Sequence, residues 1–240
     1  MRSLLRHALT CIALAAPGAA MADESILARP ENCKALMTVQ FHGCQVATKL
    51  SCGSDGAQTL WRDEIYDADG LLRAVHTSAD GRLVISVDGG GDSGFVSNPD
   101  ETHPGFLRDV VASGKGASEV NGMYIMYGIR KPMSVVSTAA LIPDPVNING
   151  IVFQRIMVET VTRLPPPVPV ITGKTMVYYD PVRTVSFETE IERSWPPADD
   201  PPHTPAAVIL PGEIGFDQPH PTYDCGDLSF LHSDIKAYHA

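Results

Sequence analysis

The run TLWRDEIYDADGLLRAVHTSADGRLVISV, Thr59–Val87, decides the fold. Thr59–Tyr66, Leu71–Thr77 and Arg82–Val87 alternate apolar and polar residues, and Asp67-Ala68-Asp69-Gly70 and Ala79-Asp80-Gly81 separate them. Asp and Gly tolerate the left-handed backbone that tight turns require, so the pattern predicts consecutive β-hairpins.

The rhythm extends in both directions. Upstream, Leu36–Phe41 and Cys44–Leu50 flank His42-Gly43, which reads as a two-residue turn. Downstream, strands are expected at about 122–130, 134–142, 151–163, 174–180 and 184–195. Asp144-Pro145 through Asn149-Gly150, and Asp180-Pro181, supply the breaks. One helix is expected at Pro104–Ser113. Proline suits its first position, Phe106, Leu107, Val110 and Val111 share a face, and Gly114 and Gly116 end it. From Trp195 onward the prolines at 196, 197, 201, 202, 205, 211, 219 and 221 argue against regular structure, while Val208, Ile209, Leu210, Phe216 and Cys225 give that segment anchors. The expected class is mainly β: a curved antiparallel sheet, half-barrel or barrel-like, with one short helix and a proline-rich C-terminal wrap.

The opening residues set the compartment. Met1-Arg2-Ser3-Leu4-Leu5-Arg6-His7 is basic, Ala8–Ala16 is apolar, and Ala20-Met21-Ala22 closes on small residues. This is the pattern of a secretory signal peptide, with an apolar core too short to span a bilayer. Residues 1–22 therefore read as a cleavable signal, 23–195 as an antiparallel β domain, and 196–240 as the proline-rich segment packed on it. Periplasmic or secreted localisation follows, and no later stretch has the apolar length of a transmembrane helix. Cleavage removes Arg2 and Arg6, leaving 16 basic and 28 acidic residues, a net charge of −12. So acidic a chain is a poor partner for nucleic acid or an anionic membrane surface.

Cleavage also removes Cys11, leaving Cys33, Cys44, Cys52 and Cys225. Four cysteines in an exported chain read as two disulfides with three pairings to choose from. If His42-Gly43 is a two-residue turn, Cys33 falls opposite Cys52, which leaves Cys44 for Cys225. No C-x-x-C pair argues for zinc.

Apparent chemical motifs fail on context. Gly91-Asp92-Ser93-Gly94 matches the nucleophile sequence of chymotrypsin-like proteases, but too little chain precedes it to supply their first barrel. Gly89, Gly91 and Gly94 fit a dinucleotide fingerprint without the helix it needs, since Phe95–Pro99 cannot supply one. Asp88 and Asp92 lack EF-hand spacing, and Ser113-Gly114-Lys115-Gly116 ends a helix where a phosphate loop would begin one. His203, His220, His232 and His239, with Asp224 and Asp227, lack metal-ligand spacing. No catalytic, cofactor or metal residue is assigned.

Met123-Tyr124-Ile125-Met126-Tyr127-Gly128-Ile129 is apolar at every position. Read as one strand, it sets Tyr124, Met126 and Gly128 on one face and Met123, Ile125, Tyr127 and Ile129 on the other. The helix can cover one face, so the other faces a second layer or an apolar ligand. Met123, Tyr124, Ile125, Met126 and Tyr127 are the candidate ligand-facing residues.

One longer pattern carries a resemblance. Val146-Asn147-Ile148-Asn149-Gly150-Ile151-Val152-Phe153 leads into Arg155–Glu159, and Gly173–Pro181 leads into Phe187–Glu190. The run resembles the corresponding strands of periplasmic half-barrel proteins, the lipoprotein carriers and their relatives. The resemblance implies a curved antiparallel sheet with an apolar concave face and carries over no catalytic residue. The leading expectation is an exported, non-enzymatic protein that binds an apolar ligand, lipid or acylated partner. The alternatives are a module docking another envelope protein through its acidic surface or proline-rich tail, and a hydrolase in which His76, His103 or His220 meets a carboxylate.

Overall fold

A computed structural model describes residues 27–53, 60–78, 83–98, 106–194 and 203–226. The expected signal segment, the Ala79-Asp80-Gly81 turn, His103, Trp195, Asp227, His232 and His239 lie outside them. The described strands are β1 (Cys33–Phe41), β2 (Gln45–Cys52), β3 (Leu60–Asp67), β4 (Gly70–Ser78), β5 (Leu83–Asp88), β6 (Ser93–Ser97), β7 (Lys115–Met126), β8 (Ile129–Ile148), β9 (Ile151–Arg163), β10 (Ile171–Asp180), β11 (Val185–Arg193) and β12 (Pro205–Ile209). The helix α1 spans Phe106–Ser113. The strands form one 12-stranded sheet in sequence order, except that β12 returns to pair with β1. All pairings are antiparallel.

The pairings determine how the sheet curls. One face runs from Val39 through Ala47 to Ile65, and two residues along through Asp63, Val75, Ser86, Phe95, Tyr124 and Lys131. Alternation along β8 carries that face to Ala139, which lies opposite Val158. Here α1 packs, Val110 and Phe106 against Ala139, Leu141, Ile156, Val158, Val177 and Tyr179. Gly116 makes the close seat possible, because a Cβ there would stand 2.7 Å from Val110 Cγ2. Yet Met37, Val39 and Phe41, on the same face at the other end, pack with Phe153, Val185 and Phe187, which point the opposite way from their own strands. The sheet therefore curls on itself, and no pairing between its end strands β11 and β12 closes it. The inner face of β1, β2 and β12 lies over the outer face of β9–β11, giving an open half-barrel with α1 on its inner face. Phe187 locks the overlap, stacked on Tyr178 at 4.9 Å and edge-on to Phe153 at 5.1 Å and Phe41 at 5.9 Å. Thr189 Oγ1 donates to the His203 carbonyl across the same junction.

Four sequence expectations need correction. The first turn has three residues, His42-Gly43-Cys44, with Gly43 and Cys44 at φ 85 and 59. A bulge between Ala35 and Met37 restores the register, so Cys33 still pairs with Cys52. The apolar stretch 123–129 is not one strand: Tyr127 and Gly128, at φ 48 and 76, turn the chain from β7 into β8. β8 continues through Pro143–Pro145, where its ladder with β7 has ended opposite Ala140 and its ladder with β9 is interrupted, so neither proline removes a ladder bond. The proline-rich segment contains β12, whose Val208 is buried against the sheet. Proline at its first position costs no essential bond there, since β12 lies at the sheet edge. Sequence reading also missed β6, whose Phe95 is buried against Gly122.

Candidate functional site

Two regions combine chemistry with unusual placement. The first is the inner face beyond the reach of α1. The helix covers β8–β10 and the start of β7. Farther along β7 the same face carries Tyr124 and Met126, with Phe95 opposite Tyr124 and Ile129 opposite Met126. Phe95 is buried and lies against Gly122, Tyr124 is half-buried, and Met126 and Ile129 are 43% and 62% exposed. Burial, then the nearby Asp88, pushes the Tyr124 hydroxyl pKa up, keeping it neutral. Lys49 and Asp63 form a 2.6 Å ion pair on this face, and burial raises the Asp63 pKa while Lys49 opposes that rise.

Of the candidate ligand-facing residues, Tyr124 and Met126 share the inner face, Met123 and Ile125 alternate onto the outer face, and Tyr127 sits in the turn, 76% exposed. Contrary to the sequence expectation, the helix does not cover one face of this stretch. α1 runs back along the Gly116 end of β7, because Gly114 turns the chain directly from helix into strand.

The second region is polar and lies on the outer face of β1–β4. Arg62 and Glu64, buried in β3, join through Nε and Oε1 at 2.7 Å. Arg29 donates to Glu64 Oε2 from Nη2 at 2.6 Å and Nε at 3.0 Å, and Tyr66 donates to the same oxygen at 2.9 Å. Arg62 also donates to the Leu27 carbonyl at 2.7 Å, and its Nη1 lies 2.8 Å from His76 Nε2. Arg29 Nη1 reaches Asp217, whose backbone N donates to Thr38 Oγ1. The two ends of the described chain thus cover a face that alternation alone would leave to water. Burial alone would raise the Glu64 pKa, but Arg29 and Arg62, with Tyr66, hold it below the usual carboxylate range. Burial and Glu64 push the Tyr66 hydroxyl up to about 12.

His76 illustrates the cost. Burial, then the adjacent Arg62 charge, lowers its pKa to about 4, so the ring is neutral and accepts from Arg62. Unfolding frees it to titrate near 6.5. Between those values the unfolded chain binds more protons, so stability is complete above pH 6.5 and falls as pH drops toward 4. Allowing for partial solvent access to the ring, the loss should be about 2 kcal/mol. Chemical denaturation from pH 7 to 4 should show this slope, and His76→Gln should flatten it. An unchanged slope in the variant would remove His76 as its source.

Other sequence candidates scatter. Ser93 donates to Asp88, while His76 is engaged by Arg62. His42 Nδ1 lies 2.7 Å from Asp224, holding the exposed carboxyl below its ordinary pKa. His203 Nδ1 meets the His42 carbonyl, and the His220 carbonyl accepts from Gln40. Among the described residues no group of three His, Cys, Asp or Glu side chains is arranged to hold a metal. The network of Arg29, Arg62 and Glu64 was invisible to sequence reading. Its only signal is alternation, which places Arg62, Glu64 and Tyr66 on one face of β3, and a polar strand face normally reads as solvated.

These features define a class: a disulfide-bridged half-barrel of antiparallel strands. Its bridges are Cys33–Cys52 and Cys44–Cys225, as the hairpin reading expected, and disulfides of this kind persist in oxidising compartments. No described helix is long and apolar enough to cross a membrane. Among solved structures, the chain is similar to the hypothetical lipoprotein YmcC from Escherichia coli K12, with 12% identity, a TM-score of 0.43, and coverage of 72% of this chain and 82% of that one. That likeness concerns the arrangement of strands alone. No protein-family model matches the chain, and no curated protein matches it.

Proposed function

We propose that the protein, exported by the signal segment at residues 1–22, is a non-enzymatic binder that holds an apolar chain, such as a fatty-acyl group or acylated partner, on its inner face. The observation that carries this reading is the incomplete cover of that face. The helix fills one half, while Phe95, Tyr124, Met126 and Ile129 form an apolar strip that reaches the surface in the other. Among the described residues nothing at the strip resembles a hydrolytic constellation, since the Lys49–Asp63 pair is mutually satisfied and Ser93 is tied to Asp88.

An acyl chain burying roughly 300 Å² of apolar surface would gain about 7 kcal/mol gross, before the several kcal/mol lost on association. Net affinity is then micromolar at best. Displacement of a fluorescent fatty acid by the purified protein tests the reading, and Tyr124→Lys should weaken it about tenfold or more by placing a charge in the strip. Equal binding by wild type and Tyr124→Lys would move the ligand off this face.

A further inference from the structure

The distribution of charge departs sharply from the acidic whole. The chain carries 28 acidic residues, yet none lies between Glu119 and Asp144. The first of these stretches is the β7–β8 hairpin, and Arg130 and Lys131 are its cations. A second acid-free stretch runs from Thr160 to Tyr179, across the loop between β9 and β10, with Arg163 and Lys174 as its cations. Antiparallel pairing places both at the same end of the sheet, because Ser134 of β8 lies opposite Arg163 of β9. Beyond that pair, Ile129–Met133 continue about 17 Å past the β9 ladder.

The projecting tip is apolar. Met126, Tyr127 and Ile129 are 43%, 76% and 62% exposed, and Val170 on the neighbouring loop is 55% exposed beside Pro166, Pro167 and Pro169. Arg130 and Lys131 follow directly behind the tip. Among the described residues, opposing charges are few. Lys174 pairs with Glu192 at 3.3 Å, Asp88 pairs with Arg73 and accepts from Ser93, and Asp92 stands beside the tip, its carbonyl accepting from Tyr127 N.

An aromatic and aliphatic tip with cations one residue behind matches a bilayer interface, where Tyr lies at headgroup level and Arg or Lys meets lipid phosphates. We propose that the β7–β8 hairpin tip seats the protein on an anionic membrane surface, Tyr127 and Ile129 entering the headgroup boundary while Arg130 and Lys131 bind phosphates. This local surface reverses the expectation drawn from net charge. It stands whether or not the inner face holds an acyl chain.

Flotation of the delipidated exported chain with vesicles of pure phosphatidylcholine, or with 30% phosphatidylglycerol added, tests it. Wild type should bind the anionic vesicles at least tenfold better. At roughly fivefold per cation, Arg130→Glu/Lys131→Glu should erase that preference, and Tyr127→Glu, outside the inner-face strip, should reduce binding to both vesicle types. Asp92→Asn should strengthen binding to anionic vesicles. Asp92, Tyr127, Ile129 and Arg130 are exposed and Lys131 is half-buried, so unchanged thermal melts should confirm folding in each variant. Vesicle binding that these variants leave unaltered overturns the proposal. So does absence of vesicle binding by the folded wild type, including the case in which the tip instead pairs two copies and tip variants abolish a concentration-dependent dimer.

Discussion

Replacing Cys44 and Cys225 together by serine should lower the unfolding free energy by about 5 kcal/mol, against about 3 kcal/mol for the Cys33/Cys52 pair. The difference follows from loop length. The first bridge closes a sequence separation of 181 residues and the second only 19, and the unfolded chain regains more entropy when the longer loop opens. The position of Cys225 adds to the effect. It fastens the segment after β12, where Gln40 Oε1 accepts from Thr222 N and Gln40 Nε2 donates to the His220 carbonyl. Guanidinium titrations of the two double variants would measure both losses. Equal losses would mean that the terminal segment holds its place without the bridge.

Glu64→Gln should cost about 3–5 kcal/mol, because Arg62 is fully buried and would lose the charge that compensates it. Arg29 would lose the same partner and with it part of its hold on Asp217. Removing all three charges as Arg29→Met/Arg62→Leu/Glu64→Leu should recover much of the loss, since no uncompensated charge would remain buried. Urea denaturation of the single and triple variants separates these cases. A triple variant less stable than Glu64→Gln would indicate that the network contributes net stability beyond compensating its own burial.

How much of this was legible in the sequence depends on where each signal lay. The Asp67-Ala68-Asp69-Gly70 turn was readable because Asp67 Oδ1 accepts from the backbone N of Asp69 and Gly70, a purely local contact. The disulfides were readable because hairpin geometry nearly fixes one pair, and the bulge at Ala35–Met37 offset the error in the turn. The β7–β8 turn was hidden because tyrosine rarely takes positive φ and an unbroken apolar run reads as strand. β12 was hidden because a proline-rich segment reads as irregular, although proline is tolerated as the first residue of an edge strand. The outer-face network could not be read at all, since it depends on contacts as distant as Arg29 with Asp217. The inner face was anticipated as a class of surface, but which residues reach it depended on the turn at Tyr127-Gly128.

The central claim, an acyl chain held on the inner face, is tested most directly by native mass spectrometry of the protein purified from envelope extracts without detergent. A population carrying one fatty-acyl or phospholipid mass, lost in Tyr124→Lys but retained in the tip variant Arg130→Glu, whose side chain belongs to the opposite face, is the predicted result. A wild-type spectrum containing only the bare chain, from protein that also fails to displace a fluorescent fatty acid, would contradict it.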